Sequence, residues 1–426
     1  MGRNVLVVGG GGREHALGWR LATSPSVDRL VSAPGNPGLA ALGPIHALDP
    51  TDVHAVADLA EREAIDLVVV GPEAPLVAGV VDELARRGIP AFGPTAAGAH
   101  LEGSKAFAKS VMDLAGIPTA GYVATSERDA AHEALEHFMP PYVVKADGLA
   151  AGKGVRICLD LEEAHEAVDD ALVHRVFGDA GAQVVVEEYL EGPERSVFGV
   201  CDGEDVVLLV PAQDYKRARD GDEGRNTGGM GAYSPVPGCT LDDVGHLAED
   251  VFRPVLRELA SRGTPYRGLL YAGLIDTVQG PKLLEFNARF GDPETQVVLP
   301  RLASDLGDLL AASASGSVAN LEVAWRDEAA VTVVLASGGY PGAYATGLPI
   351  HGVEEAERSD TVEVFHAGTA RDADGRLVTA GGRVVAVTAL GPTVSEARAR
   401  AYAAADRIAF DGLHRRGDIA AGVADA

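Results

Sequence analysis

The sequence predicts a multidomain chain in which an α/β region with a parallel sheet precedes regions of mixed α+β structure. Its 426 residues exceed what one hydrophobic core ordinarily holds, so two to four domains are expected. The first hundred residues alternate short apolar strands with helical stretches, as in β-α units whose parallel strands are buried on both faces. From about residue 329 several strands are followed by one amphipathic helix at 393–410, which predicts a mixed α+β closing domain.

Composition and charge exclude several classes of protein. Hydrophobic residues make up 46 % and charged residues 23 %, which indicates a globular chain. A net charge of −26 disfavours nucleic acid as a partner, because no basic surface offsets the phosphates. We find no signal peptide and no apolar run long enough to span a bilayer, so no membrane partner is expected. Three widely spaced cysteines argue against a disulfide framework or a structural zinc site and indicate a cytoplasmic protein.

Lysines are scarce, and their positions are therefore informative. Only six of the 36 basic residues are lysines, so each of them is expected where a compact point charge matters. The six are Lys105, Lys109, Lys145, Lys153, Lys216 and Lys282. Four of them fall in the motifs described below.

Strands at 4–8, 30–33, 65–70 and 91–94 are predicted to form the parallel sheet, with ligands at their carboxyl ends. The glycine run 9–12 does not fit a dinucleotide fingerprint, because Glu14 replaces the third glycine and no acidic residue ends the second strand. The run can instead hold a single phosphate through N–H groups at a helix N-terminus; a tight turn is the alternative. Glu73, just past the third strand, either binds sugar hydroxyls or is a solvated loop acid.

Two further glycine-rich segments resemble lids over a ligand. A strand at 142–145, a glycine-rich stretch and a return strand at 155–158 match a P-loop poorly and fit a hairpin flap over triphosphate, with Lys145 beneath it. An ordinary flexible hairpin is the alternative. In the long loop 222–235, Asn226, Thr227 and glycine N–H groups can receive a phosphate or carboxylate. Disorder is the alternative there, although the ending at 230–235 suggests packing.

Two polar positions fit the small-molecule groups that such lids would cover. The strand at 183–186 runs into 187–194, where backbone groups can face an adenine edge and Glu194 can take ribose hydroxyls. Asp214 and Lys216 can bracket a zwitterion.

The stretch 283–296 carries the strongest chemical signal. In a strand, Glu285, Asn287 and Arg289 share one face, and Leu284, Phe286, Ala288 and Phe290 share the other. A carboxylate and an amide oxygen suit Mg²⁺, and the guanidinium suits a phosphoryl group in transfer. A solvated strand face is the alternative. However, pairing with 268–276 is expected to place the strand centrally, where buried polar groups need ligands.

Taken in order, these motifs resemble the phosphoribosylamine–glycine ligase family (glycinamide ribonucleotide synthetases) of ATP-grasp enzymes. The matching stretches are GGGGREHAL, APGNPG, GPEAPLVAGVVD, FGPTAAGAHLEGSKAF, VVKADGLAAGKGV, VEEYLEGPERS, QDYKR, NTGGMGAYSP, LYAGL, EFNARFGDPETQ, ASGGYPG, FHAGT and GGRVVAVTALG. The resemblance covers the chain nearly end to end. One departure is Arg225, where the family pattern has proline before Asn-Thr-Gly-Gly.

The resemblance implies an ATP-grasp fold in three parts and the ATP-dependent ligation of glycine to 5-phosphoribosylamine, through glycyl phosphate, in de novo purine synthesis. The implied parts are a Rossmann-like phosphoribosylamine-binding domain (1–102), an ATP-grasp domain (103–327) with a lid subdomain at about 118–192, and a C-terminal domain (328–426). A monomer is expected. The substrates are small molecules, and the cofactors are ATP with Mg²⁺ or Mn²⁺.

The resemblance also implies a role for each candidate residue. The metal is assigned to Glu285 and Asn287. Catalytic roles are assigned to Asp214, which would hold the glycine ammonium, and to Lys216, Asn226, Thr227 and Arg289. The nucleotide is assigned to Lys105, Lys145, Gly148, Gly152, Lys153, Gly154, Glu187, Glu188, Leu190 and Glu194. The phosphoribosyl substrate is assigned to Gly9, Gly10, Gly11, Gly12, Asn36, Glu73, Gly228 and Gly229.

Three other functions compete with this interpretation. The nearest is an ATP-grasp ligase for another acid or amine. A nucleotide-regulated binding protein without turnover is the second, although the intact Glu285 and Asn287 pair argues against it. An NAD-dependent oxidoreductase is the third, and the glycine spacing disfavours it.

Overall fold

The N-terminal region forms the predicted parallel sheet. In a computed structural model, which describes residues 2–149 and 154–423, its four strands lie in the order β2-β1-β3-β4 and all neighbouring pairs are parallel. The strands are Arg3–Gly9 (β1), Val27–Pro34 (β2), Leu67–Val70 (β3) and Ala91–Phe92 (β4). The helices are Gly12–Ala22 (α1), Leu39–Leu42 (α2), Val53–Arg62 (α3), Glu73–Val77 (α4), Val80–Arg86 (α5) and Ala96–Gly103 (α6).

A second unit has its own small core. Its antiparallel sheet has the order β5-β8-β6-β7, and helices α8 and α9 pack on the face that carries Val144 and Val186. After helix Lys105–Leu114 (α7), its elements are Tyr122–Thr125 (β5), Arg128–Leu135 (α8), Tyr142–Ala146 (β6), Val155–Cys158 (β7), Leu161–Leu172 (α9) and Val184–Glu188 (β8). The β6–β7 hairpin is the predicted flap. Two candidate residues of its glycine-rich connection, Gly152 and Lys153, lie outside the described residues.

One large mixed sheet joins the rest of the chain. Its eight strands lie in the order β15-β14-β9-β10-β13-β16-β20-β17, so the sheet continues from the central region into the C-terminal region. The central elements are Glu194–Asp202 (β9), Val206–Asp214 (β10), Arg217–Arg219 (β11), Glu223–Asn226 (β12), Gly231–Ser234 (β13), Leu241–Val244 (α10), Arg253–Ser261 (α11), Arg267–Thr277 (β14), Gly280–Asn287 (β15), Thr295–Val298 (α12) and Leu306–Ser315 (α13). The C-terminal elements are Ala329–Ala336 (β16), Val353–Ala356 (α14), Val362–His366 (β17), Thr369–Arg371 (β18), Leu377–Thr379 (β19), Arg383–Gly391 (β20) and Val394–Ala405 (α15).

The structure corrects the expected place of the strand that carries Glu285. This strand, β15, pairs with β14 as predicted, but it lies at the edge of the sheet and not at its centre. Its outer side meets only a short stretch of chain, where Leu283 N donates to Pro118 O at 2.8 Å and Thr119 bridges to Leu283. The predicted burial on both sides was wrong because a hairpin specifies one neighbour and leaves the other side undetermined.

The glycine-rich segment 222–235 contains more regular structure than predicted. Strand β12 pairs with β11, and β13 joins the large sheet between β10 and β16. Met230 is fully buried and Tyr233 is 4 % exposed, which confirms that the end of the segment packs. Within the described residues, no helix has the length and apolar character needed to cross a membrane.

Candidate active site

A bulge in β15 sets the direction of the candidate metal ligands. Leu283 lies opposite Leu274 and Glu285 lies opposite Gly273, so Leu284 is an extra residue in the ladder. Beyond it the predicted alternation holds: Phe286 is buried while Glu285 and Asn287 are half-buried. Leu284 was expected on the buried face with Phe286, but the bulge leaves it only half-buried.

Four cations surround the Glu285 carboxylate. Burial raises its pKa, but Lys216, Lys145, Lys105 and Arg289 outweigh this and hold the pKa of Glu285 below its usual value. The carboxylate is therefore ionised at neutral pH. Basic side chains from three different parts of the chain converge at this point, although they are far apart in sequence.

Arg289 is held by two carboxylates. Its Nη2 pairs with Glu102 Oε1 at 2.6 Å, and its Nε lies 3.4 Å from Glu73 Oε2. Its Nη2 also donates to Asn287 Oδ1 at 3.3 Å. Burial opposes but Glu102 and Glu73 raise the pKa of Arg289 above its usual value, so the guanidinium stays charged. Glu73, predicted to bind sugar, thus lies beside the phosphate-binding candidate.

The predicted nucleotide lysines lie between the lid sheet and α7. Lys145 Nζ is 2.9 Å from Glu187 Oε2, and both side chains are buried. Lys105 Nζ donates to Gly148 O at 3.2 Å, at the start of the flap. At the other end of the flap, Gly154 O accepts from Ala146 N at 2.7 Å.

The segment that follows β8 reaches toward the large sheet. Glu188 Oε1 accepts from Gly121 N and from Lys282 Nζ, each at 3.0 Å. Leu190 is half-buried just past β8, where its backbone can face a planar base. Glu194 begins β9 and pairs with Lys216, as does no residue of the lid core.

The Asp214 and Lys216 pair lies at the end of β10, facing Glu285. Burial, opposed by Lys216 and reinforced by Glu294, raises the pKa of Asp214 to about 7. Burial opposes but Asp214 and Glu194 raise the pKa of Lys216 well above its usual value. The structure therefore brings together the two residues that were predicted to bracket a zwitterion and the candidate metal ligand.

The predicted anion-binding N–H groups of the 226–229 segment bond to the protein. Asn226 is half-buried and pairs with Arg217 across the β11–β12 ladder. Thr227 N donates to Lys216 O at 2.8 Å, Gly228 N to Tyr340 Oη at 3.0 Å and Gly229 N to Thr227 Oγ1 at 3.0 Å. These bonds hold the segment against the C-terminal region.

The glycine loop 9–12 lies where all three parts of the chain meet. Gly9 has a φ of +124°, and a Cβ on Gly10 would lie 2.5 Å from Gly35 O, so both positions require glycine. Gly11 N donates to Glu14 Oε2, and Gly12 lies against Gln296 and Asp292 of the central region. The Asn36 amide donates to Gly10 O at 3.0 Å and to His366 O at 2.8 Å, which fixes the loop to β17.

Sequence reasoning missed several residues that build this site. Glu102 and Glu294 are buried carboxylates beside Arg289 and Asp214, and Arg383 donates to Asp292 O at 2.8 Å and to Gly228 O. The matching stretches contain all of them, but only as letters. No local pattern reports that Arg383 contacts residues about 90 and 155 positions away.

The donor set at β15 fits a hard divalent cation. An ionised carboxylate and an amide oxygen project from Glu285 and Asn287 on the same side of the strand. Among the described residues, no group of three or more His, Cys, Asp or Glu side chains is arranged to hold a metal. Such a two-ligand set suits Mg²⁺ or Mn²⁺, which complete their shells with water and phosphate oxygens.

Comparison with known proteins identifies the family. Three family models match: phosphoribosylglycinamide synthetase N domain (residues 3–102), ATP-grasp (A) domain (103–295) and C domain (330–422). The phosphoribosylamine–glycine ligase of Phenylobacterium zucineum is 54 % identical over 417 residues, covering 98 % of each chain. That of Streptomyces coelicolor is 54 % identical over 426 residues, covering 99 % of this chain and all of the relative.

A solved structure agrees with these matches. The phosphoribosylamine–glycine ligase of Thermotoga maritima superimposes with a TM-score of 0.84 at 35 % identity, covering 98 % of this chain and all of that one. Enzymes of this family join glycine to 5-phosphoribosylamine with ATP in purine biosynthesis, giving glycinamide ribonucleotide, ADP and phosphate. With full-length matches and the ATP-grasp architecture together, the chain belongs to the phosphoribosylamine–glycine ligase family and is an ATP-dependent ligase that catalyses this reaction.

Proposed function

We propose that the ligation takes place in the space bounded by the lid sheet, the end of β10 and the edge strand β15. The observation that carries this proposal is the convergence of Lys105, Lys145, Lys216 and Arg289 on Glu285. A triphosphate brings several negative charges to one place, and phosphoryl transfer depends on positioning and charge neutralisation. This is the position at which the chain concentrates positive charge around an ionised metal ligand.

The nucleotide lies between the lid and α7. Lys105 and Lys145 bind its phosphates, the flap with Gly148, Gly152, Lys153 and Gly154 covers them, and Arg289 stabilises the transferred group. The segment after β8 binds the base and ribose through Glu187, Glu188, Leu190 and Glu194. In support, Lys105 and Lys145 lie on opposite sides of the flap entrance, next to its first residues.

Glu285 and Asn287 hold the divalent cation, Mg²⁺ or Mn²⁺. When bound, the cation neutralises phosphate charge and helps to align the phosphoryl group with the attacking carboxylate. Asp214 binds the glycine ammonium, and Lys216, Asn226 and Thr227 orient the glycine carboxylate. Exclusion of water then matters, because a glycyl phosphate hydrolyses readily.

The phosphoribosyl substrate lies at the glycine loop. Gly9, Gly10, Gly11 and Gly12 with Asn36 form the phosphate end, Glu73 accepts from the ribose hydroxyls, and Gly228 and Gly229 close the opposite side. In support, Gly12 and Gly229 both contact the 292–293 turn. The amine of this substrate would then face glycine across β15.

The three units carry separate tasks: residues 1–102 bind phosphoribosylamine, 103–327 bind ATP with a lid at about 118–192, and 328–426 brace the site. We also propose a cytoplasmic monomer. Three buried free thiols, Cys158, Cys201 and Cys239, support a reducing compartment.

Replacement of Glu285 tests the proposed site. Glu285→Ala is expected to lower kcat by about 10²-fold or more, the scale of losing one major electrostatic contact. Glu258→Ala, on the exposed helix α11, is the matched carboxylate control and should keep full activity. ADP formation at increasing Mg²⁺ measures both. Near-normal turnover of Glu285→Ala at saturating Mg²⁺ would remove this residue from the site.

Substrate dependence tests the specificity. ADP release is measured with glycine, alanine or formate, each with and without phosphoribosylamine. We expect release to require both glycine and phosphoribosylamine. Indifference to glycine would favour a ligase for another acid, and ATP binding without any turnover would favour a binding protein.

A further inference from the structure

Lys109 is a buried cation that the proposed mechanism does not use. It lies on α7 and is only 2 % exposed, so its charge is removed from water. Its Nζ donates to Thr119 Oγ1 at 2.7 Å, lies 3.3 Å from Glu187 Oε2 and is 5.5 Å from the centre of the Tyr122 ring. An ammonium in such a place is costly unless its partners need it.

The partner that connects Lys109 with the nucleotide site is Glu187. Its Oε2 is shared by Lys109 and by Lys145, at 3.3 and 2.9 Å. Glu187 lies opposite Val143 on β6 and opposite Tyr122 on β5, while Lys145 lies opposite Val185. Lys145, Glu187 and Tyr122 therefore share one face of the lid sheet, the face turned away from the core packed under α8 and α9.

We propose that Lys109 is a positioning residue of the nucleotide site that acts through Glu187. It is the cation that stays with this carboxylate when Lys145 turns to the phosphates. Without Lys109, Glu187 has only Lys145 as a partner and competes with the phosphates for it. With Lys109, the release of Lys145 leaves a neutral buried pair. This inference rests on the proposed function, since it assumes that Lys145 binds the phosphates.

Two further contacts support this role. Thr119, which accepts from Lys109, donates to Leu283 O at 2.6 Å, so Lys109 also touches the connection between the lid and β15. Burial, reinforced by Lys145 and opposed by Glu187, lowers the pKa of Lys109 to about 8, and it therefore remains mostly protonated at neutral pH. The ammonium is thus available as the second partner of Glu187.

The test compares the kinetics of Lys109→Met with those of the wild-type enzyme. We expect the KM for ATP to rise about tenfold, equivalent to about 1.4 kcal/mol, while the KM for glycine stays within about twofold. Lys109→Arg, which keeps the charge, should recover most of the loss. Arg128→Met, which removes a cation paired with Asp169 on the outer helices of the same lid, is the matched control and should have no effect. Parallel loss of all kinetic parameters together with thermal stability would overturn the proposal, because it indicates a structural role only.

A double variant covers the case in which Lys109→Met does not fold. Lys109→Met with Glu187→Gln leaves neither buried charge unpaired, and it should have the same KM for ATP as Glu187→Gln alone. An additional rise of about threefold or more in the double variant would overturn the proposal, since Lys109 would then act on something other than Glu187.

Lys145→Met separates the two hypotheses. If it leaves the KM for ATP unchanged, the proposed nucleotide site is itself wrong, and with it the role of Lys109. If it raises the KM for ATP while Lys109→Met does not, the nucleotide site stands and only the inference about Lys109 fails.

Discussion

Residue by residue, the site is a set of charges that are held in fixed protonation states. Glu285 stays ionised because four cations face it, whereas Asp214 is the group with a pKa near neutrality. The difference arises from their neighbours: Asp214 is buried beside the carboxylates Glu294 and Glu194 and has Lys216 as its one opposing cation. The side chain types were predictable, but the balance of charge around each required the structure.

The raised pKa of Asp214 predicts a pH-dependent affinity for glycine. Below about 7 the carboxyl is increasingly protonated and no longer attracts the glycine ammonium. The KM for glycine should therefore rise by up to about tenfold per pH unit as pH falls below 7. Asp214→Asn should have a high KM at every pH and a flat profile. Steady-state kinetics between pH 5.5 and 8.5 at saturating ATP would measure this; an identical profile in the variant would contradict it.

At the scale of elements, the end of β15 is held by the last turn of α6. Glu102 accepts from Ala288 N at 2.8 Å with one oxygen and pairs with Arg289 at 2.6 Å with the other. Burial raises the pKa of Glu102, and the opposing effect of Arg289 does not fully compensate. One carboxylate thus orients both the strand that bears Asn287 and the guanidinium that follows it.

Truncation of Glu102 should destabilise the protein and reduce catalysis. Glu102→Ala leaves a buried guanidinium and a backbone N–H without this partner, at a cost of about 3 kcal/mol. Glu102→Gln keeps an acceptor for Ala288 N and should lose less stability, while turnover falls in both. Urea unfolding followed by circular dichroism, with kcat measured in parallel, would test this. Equal stability of the two variants would contradict the assignment.

The edge position of β15 explains how its polar side chains stay accessible. A central strand has neighbours on both sides, whereas β15 pairs with β14 alone and meets the 118–119 stretch on its outer side. The sequence predicted the hairpin because a turn and two complementary strands lie next to each other in the chain. It could not predict which edge stays open, because this depends on strands hundreds of residues away.

Across the whole molecule, the C-terminal region completes the site from outside the ATP-grasp domain. Arg383 Nη1 donates to the carbonyl oxygens of Gly228 and Asp292, and its Nη2 pairs with the Asp292 carboxylate at 3.1 Å. Asp292 in turn accepts from Gln296, which lies against Gly12. The loops proposed for the two substrates are therefore joined through one arginine.

Arg383→Met is expected to impair the use of both substrates. Loss of the guanidinium frees the 228–229 loop and leaves Asp292 without its main cation, so kcat/KM should fall about tenfold or more for glycine and for phosphoribosylamine. Arg383→Lys should recover only part of it, because an ammonium lacks the forked geometry. Kinetics with each substrate varied in turn would measure this. Unchanged kcat/KM with a lowered Tm would indicate a purely structural arginine.

The contact between the N-terminal and C-terminal regions should be sensitive to acid. His366 N donates to His15 Nδ1 at 2.8 Å. Burial and His366 lower the pKa of His15 to about 3, and burial and Arg371 lower that of His366 to about 4. Both rings are neutral when folded, so the stability they contribute is complete above about 6.5 and decreases as pH falls toward 4, by about 1.4 kcal/mol per unit for each.

Trp19 offers a direct measurement of this acid effect. Its ring lies 5.8 Å from that of Phe365 at the same contact. Urea unfolding followed by tryptophan fluorescence at pH 7, 6 and 5 should lose stability more steeply in the wild-type protein than in His15→Asn, which keeps an acceptor for His366 N. Parallel pH dependence in both proteins would contradict the prediction.

The sequence alone determined the parts of this protein that depend on neighbouring residues. Apolar periodicity predicted the parallel sheet, the flap hairpin and the β14–β15 hairpin, and the ordered motifs indicated the family and the candidate ligands. Only the tertiary structure decided the edge position of β15, the grip of Glu102 and Arg383 on the site, and the second partner of Glu187. The physical reason is that these features are pairings between charges and strand edges far apart in the chain, where many partners are chemically equivalent and only the folded geometry selects one.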